Sequence, residues 1–307
     1  MQKSKKIELA LDKAYEAGLK EINKGFVADY IPELAKQDRD KLAVLIKDKA
    51  LTTYAKGDIE QKFTLQSISK VFALMLALET FSKKEIFSKV GMEASSAAFS
   101  ELSTLGELKR PSNPFINAGA IVISSMLSKH MDFSKVLEFM RKLSTNEDLD
   151  INETIYLSES KSNYKNRVLT KELANLNLLA NDIEESLDFY TLLCSIEVSL
   201  EDLVNLGLVL VNKGKAINSD KQLVRPETVR ICLSLMYTCG LYNDSGRFAT
   251  IAGIPAKSGV SGGILAIKPY EYSIASFSPA LDHAGNSIAG VKVLTSLSKD
   301  LDWHTFS

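Results

Sequence analysis

Strand-forming patterns occur only near the two ends of this 307-residue chain, and that placement narrows the fold more than any other feature. Residues 42–46 and 51–55, separated by Lys47-Asp48-Lys49, read as the two strands of a hairpin. Past Gly240, residues 248–251, 254–258, 263–267 and 272–277 are short apolar segments divided by Gly and Pro, and they too read as strands. Between the two groups helix-period patterns dominate, over residues 71–78, 118–127, 135–143, 186–197 and 200–213. The last of these opens on Ser199-Leu200-Glu201-Asp202, a capped helix start. Further helices are expected over residues 7–23 and 285–301. Strands at both ends must meet to share one sheet, so the expected class is α/β (α+β): an antiparallel sheet built from both chain ends with flanking helices, plus an inserted all-helical lobe. Residues 1–66 and 245–307 would form the sheet lobe and residues 67–244 the helical lobe, with an active site at their junction.

Charge and composition remove several function classes. The 37 basic and 38 acidic residues leave a net charge of −1, which lacks the electrostatic footprint of a nucleic-acid binder. His130, His283 and His304 are scattered without metal-ligand spacing, and no cofactor motif is present. Cys194, Cys232 and Cys239 form no C-x-x-C pair, as suits a reducing compartment. The N-terminus has no apolar leader segment, and no apolar run approaches the ~18 residues of a membrane span. A soluble cytoplasmic protein acting on a small molecule, without metal, membrane or nucleic acid, is expected.

The chemistry concentrates at Gln66-Ser67-Ile68-Ser69-Lys70, directly ahead of the apolar run at 71–78. A hydroxyl and an amine three residues apart share one helix face. A serine becomes a covalent catalyst when a neighbouring base takes its proton. Lysine can serve only when neutral, so its pKa of about 10.4 must fall, and burial against an apolar helix lowers it. Far downstream stands Lys257-Ser258-Gly259. In penicillin-recognising enzymes an S-x-x-K serine is paired with such a K-[ST]-G strand, whose backbone N–H helps hold an oxyanion. The intermediate S/Y-x-N motif has a literal match at Tyr164-Lys165-Asn166, which is read as a chance match.

Longer strings define the relationship. Val27-Ala28-Asp29-Tyr30-Ile31-Pro32-Glu33-Leu34, Gln66 to Lys70, Val90-Gly91-Met92-Glu93, Asn113-Pro114-Phe115-Ile116-Asn117-Ala118-Gly119, Cys239-Gly240-Leu241-Tyr242, Ala256-Lys257-Ser258-Gly259-Val260 and Ala284-Gly285-Asn286-Ser287 resemble the serine-dependent glutaminases, in order, over about residues 24–298. The resemblance implies a β-lactamase-like fold and hydrolysis of L-glutamine to L-glutamate and ammonia, without a cofactor. It implies Ser67 as nucleophile, Lys70 as base and Tyr242 as proton relay, with an oxyanion hole from the N–H groups of Ser67 and Val260. It places Tyr30, Asn117, Glu159, Asn166 and Tyr190 on the substrate, and it implies a homodimer or homotetramer.

Taken singly, these residues have plainer readings. Glu159, in Ser158-Glu159-Ser160-Lys161, reads as a solvated loop carboxylate; Tyr190 as core; Asn117 as a helix cap; Tyr242, beside Asn243 and Asp244, as an exposed aromatic. The chain also departs from the family around Lys165-Asn166-Arg167, in its compact 42–63 segment and at Ser261, where a glycine is usual. Another acylating serine hydrolase (β-lactamase or esterase-like) and a non-catalytic amino-acid binder are the alternatives.

Overall fold

The structure, a computed structural model, describes residues 2–95 and 109–307. Helix α1 (Gln2–Leu19) leads to the hairpin β1 (Ala43–Asp48) and β2 (Thr53–Gly57), then to the short strand β3 (Phe63–Thr64). A series of helices follows: α2 (Ser69–Thr80), α3 (Lys83–Lys89), α4 (Asn117–His130), α5 (Phe133–Ser144), α6 (Glu153–Ser162), α7 (Tyr164–Asn175) and α8 (Ile183–Cys194). Strand β4 (Glu197–Val198) pairs with β3 ahead of α9 (Leu200–Val211), α10 (Pro226–Cys239) and α11 (Ser245–Ile251). The chain closes with β5 (Ala256–Ser258), β6 (Gly263–Lys268), β7 (Tyr272–Phe277) and α12 (Ile288–Leu301).

The two ends build one antiparallel sheet in the order β2-β1-β7-β6-β5. Its central seam joins first and last strands, with Ala43 opposite Phe277 and Asp48 opposite Tyr272. Successive side chains point to opposite faces, and here both faces are covered. Val44, Ile46, Ile264, Ala266 and Ile274 pack with Leu11, Val293, Leu294 and Leu297 of α1 and α12. Their neighbours Leu45, Leu265, Ile267, Ala275 and Phe277 face Leu203, Leu206 and Leu210 of α9 within the core that also contains α2, α4 and α8. Burial on both sides explains why β6 reads as a nearly continuous apolar run, while β7 buries Ser273 and Ser276 among its apolar residues. Each fully buried Leu or Ile here contributes about 1.5–3 kcal/mol. Helix α9 rests directly on the sheet at Gly207, where an added Cβ would lie 2.1 Å from Ser273 Oγ.

The expected sheet is present, with one strand reassigned. Residues 248–251 belong to α11, with Phe248 buried and Ile251 53 % exposed. Phe248 and Ile251 are three apart, a spacing that one helical turn satisfies, and four residues are too few for periodicity to separate helix from strand. Ser199 does cap α9, through a reciprocal capping box with Asp202. The helix expected at 7–23 runs earlier, over Gln2–Leu19, and the closing helix begins at Ile288, after a left-handed Gly285 and with Ser287 accepting from the Gly290 N–H.

Candidate active site

Ser67 lies in a single helical turn, Gln66–Ile68, that runs straight into α2. Gln66 before it has φ +47°, a left-handed conformation that non-glycine residues adopt at a cost of order 1–3 kcal/mol when surrounding structure enforces it. The enforcing contact is the Lys257-Ser258-Gly259 strand. A Cβ on Gly259 would stand 2.6 Å from the Leu65 carbonyl oxygen, and one on Gly263 would stand 2.6 Å from the Phe63 ring. These glycines bring the strand against the serine turn.

Lys70, in the first turn of α2, is only 2 % exposed. Its Nζ donates to the Phe115 carbonyl at 3.2 Å and to Asn117 Oδ1 at 2.7 Å, and it lies 5.6 Å from the centre of the Tyr190 ring. Burial brings its pKa down to about 8. A neutral amine has two N–H bonds and one lone pair. With both N–H bonds directed at fixed acceptors, the lone pair is left for a proton from elsewhere. The acceptors are themselves built in: Asn113 Oδ1 takes the N–H groups of Phe115 and Ile116, and Gly119 lets α4 approach within 2.0 Å of the Asn113 carbonyl, measured to an added Cβ.

Asn117 does not cap α4. It is the first helical residue, and its side chain turns inward, with Oδ1 also accepting from the Tyr190 hydroxyl at 3.2 Å and Nδ2 donating to Asn166 Oδ1 at 2.8 Å. Glu159 is not a solvated loop residue either. It sits on α6, 6 % exposed, and accepts from Gln66 Nε2 at 3.0 Å. Burial raises its pKa to about 7, against the lowering effects of the Gln66 bond and of Lys70.

Tyr242 is likewise buried, its ring packed with Ile31, Leu34 and Val260. It has φ +54°, and its hydroxyl donates to the Ser258 carbonyl at 3.5 Å; the Ser67 side chain interacts with the same phenol. Burial pushes its phenol up. Lys257 Nζ lies 4.4 Å from its ring centre and donates to the Ser258 carbonyl at 2.6 Å; burial, then Lys70, hold that amine well below its ordinary pKa.

Tyr30, Ser67, Asn117, Glu159, Asn166, Tyr190 and Val260 all line one cavity of about 380 Å³, and Lys70 is bonded to one of them, Asn117. That size accommodates a small ligand. Tyr30 is 53 % exposed at the mouth, and the Tyr164-Lys165-Asn166 segment borders the same cavity, although the amide beside Lys70 is that of Asn117. Sequence reading gave no role to Gln66, and placed Lys257 only as the lysine of the K-[ST]-G strand. Their positions next to Ser67 and Ser258 were the available signals. Among the described residues no group of three or more His, Cys, Asp or Glu side chains is placed to hold a metal ion, and no helix is long and apolar enough to cross a membrane.

Comparison with known proteins identifies the family. The family model described as Glutaminase matches residues 25–306. A glutaminase of Clostridium botulinum is 44 % identical over 296 residues, covering 95 % of this chain and 97 % of the relative, and one of Alkaliphilus oremlandii is 40 % identical over 306 residues, covering 98 % and 100 %. Among solved structures, the probable glutaminase ybaS superposes with a TM-score of 0.92 at 34 % identity, covering 99 % of both chains. The Bacillus subtilis glutaminase YbgJ, solved as a covalent complex with 5-oxo-L-norleucine formed from 6-diazo-5-oxo-L-norleucine, does so with a TM-score of 0.88 at 31 % identity, covering 97 % and 99 %. The chain therefore belongs to the glutaminase family, enzymes of the β-lactamase-like fold.

Proposed function

We propose that this glutaminase hydrolyses the side-chain amide of L-glutamine through an acyl-enzyme on Ser67, with Lys70 as general base. The observation that carries the reading is the state of Lys70: buried, one turn from Ser67, its pKa lowered to about 8, and its N–H bonds directed at Phe115 and Asn117. In this reading Ser67 Oγ adds to the amide carbon as its proton passes to Lys70. The resulting oxyanion is held by the backbone N–H groups of Ser67 and Val260, and one such donor is worth about 10²–10³ in rate. Breakdown of the tetrahedral species breaks the carbon–nitrogen bond, and Tyr242, whose phenol interacts with the Ser67 side chain, passes the proton from Lys70 to the departing nitrogen, which leaves as ammonia. Water, deprotonated by Lys70, then adds to the ester carbon. Loss of Ser67 Oγ, reprotonated on departure, releases glutamate and restores the enzyme.

The two charged ends of free glutamine fit the remaining groups. Glu159 is the carboxylate for the α-ammonium, and charge-assisted bonds of this kind are about twice as strong as neutral ones. Tyr30, Asn117, Asn166 and Tyr190 offer amide and phenol donors for the α-carboxylate. The covalent 5-oxo-L-norleucine complex that the Bacillus subtilis relative forms with 6-diazo-5-oxo-L-norleucine supports a nucleophilic mechanism. A cytoplasmic homodimer or homotetramer accompanies this reading.

The test is release of ammonia and glutamate from L-glutamine by the purified protein and its Ser67→Ala variant, with L-asparagine for comparison. Turnover of glutamine, its loss in Ser67→Ala, and poor turnover of asparagine are expected, because the shorter side chain leaves its amide away from Ser67 while its charged ends stay held. Undiminished turnover by Ser67→Ala would overturn the reading.

A further inference from the structure

The Ala284-Gly285-Asn286-Ser287 string has no part in the chemistry above, yet it lies against Ser258 and against Leu241, the residue before Tyr242. Asn286 is fully buried. Its Oδ1 accepts from Ser258 Oγ at 2.6 Å and its Nδ2 donates to the Leu241 carbonyl at 3.4 Å. The Asn286 backbone is tied down in turn: its N–H donates to Asp282 Oδ1 at 2.9 Å, and its carbonyl accepts the Asp282 N–H at 2.9 Å, around a left-handed Gly285.

Both ends of this amide reach groups next to the reacting atoms. Ser258 supplies the carbonyl that accepts from the Tyr242 hydroxyl. The Leu241 carbonyl belongs to the peptide unit that enters Tyr242, whose left-handed φ of +54° needs external support. Ser245 Oγ supports the same turn from its other side, accepting from the Leu241 N–H at 2.9 Å and donating to the Tyr242 carbonyl at 2.8 Å. The Ser258 hydroxyl is thereby turned into the fold, towards Asn286.

We infer that Asn286 is a positioning residue that fastens the Tyr242 turn to the Lys257-Ser258-Gly259 strand and so sets the Tyr242 hydroxyl against Ser67. A carboxamide presents an acceptor to a hydroxyl and a donor to a carbonyl from one planar group without having to change its protonation state. An aspartate of the same shape keeps the first contact and sets an oxygen against the Leu241 carbonyl in place of the second. The inference rests on the Ser67 acyl-enzyme reading with Tyr242 as proton carrier. It assigns Asn286 to the chemical steps and not to the hold on the substrate, because Glu159, Asn117 and Asn166 stand on other elements.

The experiment compares Asn286→Asp, Asn286→Ser and Ser258→Ala with the unaltered protein, measuring kcat and KM for L-glutamine, thermal unfolding, and binding of L-glutamate by calorimetry. Asn286→Ser is the check on folding, since it avoids a buried carboxylate. The expected result is kcat lowered about 10- to 100-fold in both Asn286 variants, as for the loss of about 1–3 kcal/mol from one buried hydrogen bond, with KM and glutamate affinity within about twofold. Ser258→Ala, which keeps the Nδ2 bond to Leu241, should lose less than either. Unchanged kcat in a folded Asn286 variant would overturn the inference, as would a loss carried by KM and glutamate affinity, or a Ser258→Ala loss equal to that of Asn286→Asp. Failure of the underlying reading is seen separately, as persistent turnover by Ser67→Ala.

Discussion

Replacing Lys70 by Met should abolish turnover and, at neutral pH, relieve a cost that the fold bears. Lys70 is 2 % exposed, and burial takes its pKa from 10.5 to about 8. At 1.36 kcal/mol per pKa unit that displacement corresponds to about 3 kcal/mol. The sign follows from proton counts. Below pH 8 the amine is protonated folded and unfolded, and the folded protein bears the full cost of a buried charge. Between pH 8 and 10.5 the unfolded chain holds the proton and the folded protein does not, so stability rises with pH. Above 10.5 both forms are neutral and the cost is gone. Methionine never bears it, although it leaves the Phe115 carbonyl and Asn117 Oδ1 without their donor, at about 1–3 kcal/mol. The absolute change at pH 7 is therefore small. The difference between the two proteins must instead move against the variant by up to about 3 kcal/mol as pH goes from 7.5 towards 10.5. Urea unfolding of both proteins at four or five pH values across that range reads this directly, since titrations elsewhere cancel in the difference. A difference that stays flat would refute a depressed Lys70 pKa and, with it, a neutral base at that position.

The same protonation states govern activity. In the free enzyme Lys70 must be neutral and Glu159 ionised, with pKa values of about 8 and about 7, so kcat/KM should rise with pH from 6 to beyond 8; a profile already flat from pH 6 contradicts this assignment. Gly259→Ala would set a Cβ 2.6 Å from the Leu65 carbonyl oxygen and push the strand away from the Ser67 turn, so kcat should fall by about tenfold or more, as expected for about 1–3 kcal/mol of strain at the reacting centre. Steady-state kinetics on the folded variant check it.

Much of this molecule was legible because its strong signals are local. The two-faced burial of β6 writes itself as the apolar run Ile264 to Ile267, and the Ser199 capping box announces α9. Residues 248–251 misled because a four-residue run with Phe248 and Ile251 three apart satisfies one turn of α11 as well as a strand. Glu159 gave no sign of burial, since Ser158, Ser160 and Lys161 around it are polar; what encloses it is packing that brings in Gln66 from 93 residues away. Tyr242 was hidden in the same manner by Asn243 and Asp244, while the ring finds Ile31, Leu34 and Val260 only in the assembled fold. Asn117 could be placed at a helix start from sequence, but the inward turn of its amide depends on Lys70, Tyr190 and Asn166 converging from three other helices. The glutaminase strings contain Tyr30, Ser67, Lys70, Asn117, Tyr242 and Val260, whereas Glu159, Asn166 and Tyr190 lie outside them and came only with the family resemblance.

The most direct test of the account is to treat the protein with 6-diazo-5-oxo-L-norleucine, digest it and locate the adduct by mass spectrometry. A single 5-oxo-norleucine adduct on Ser67, formed in step with loss of glutaminase activity and blocked by excess L-glutamate, is the expected result. Inactivation with the adduct on any other residue, or full activity retained after Ser67 is labelled, would contradict a Ser67 acyl-enzyme.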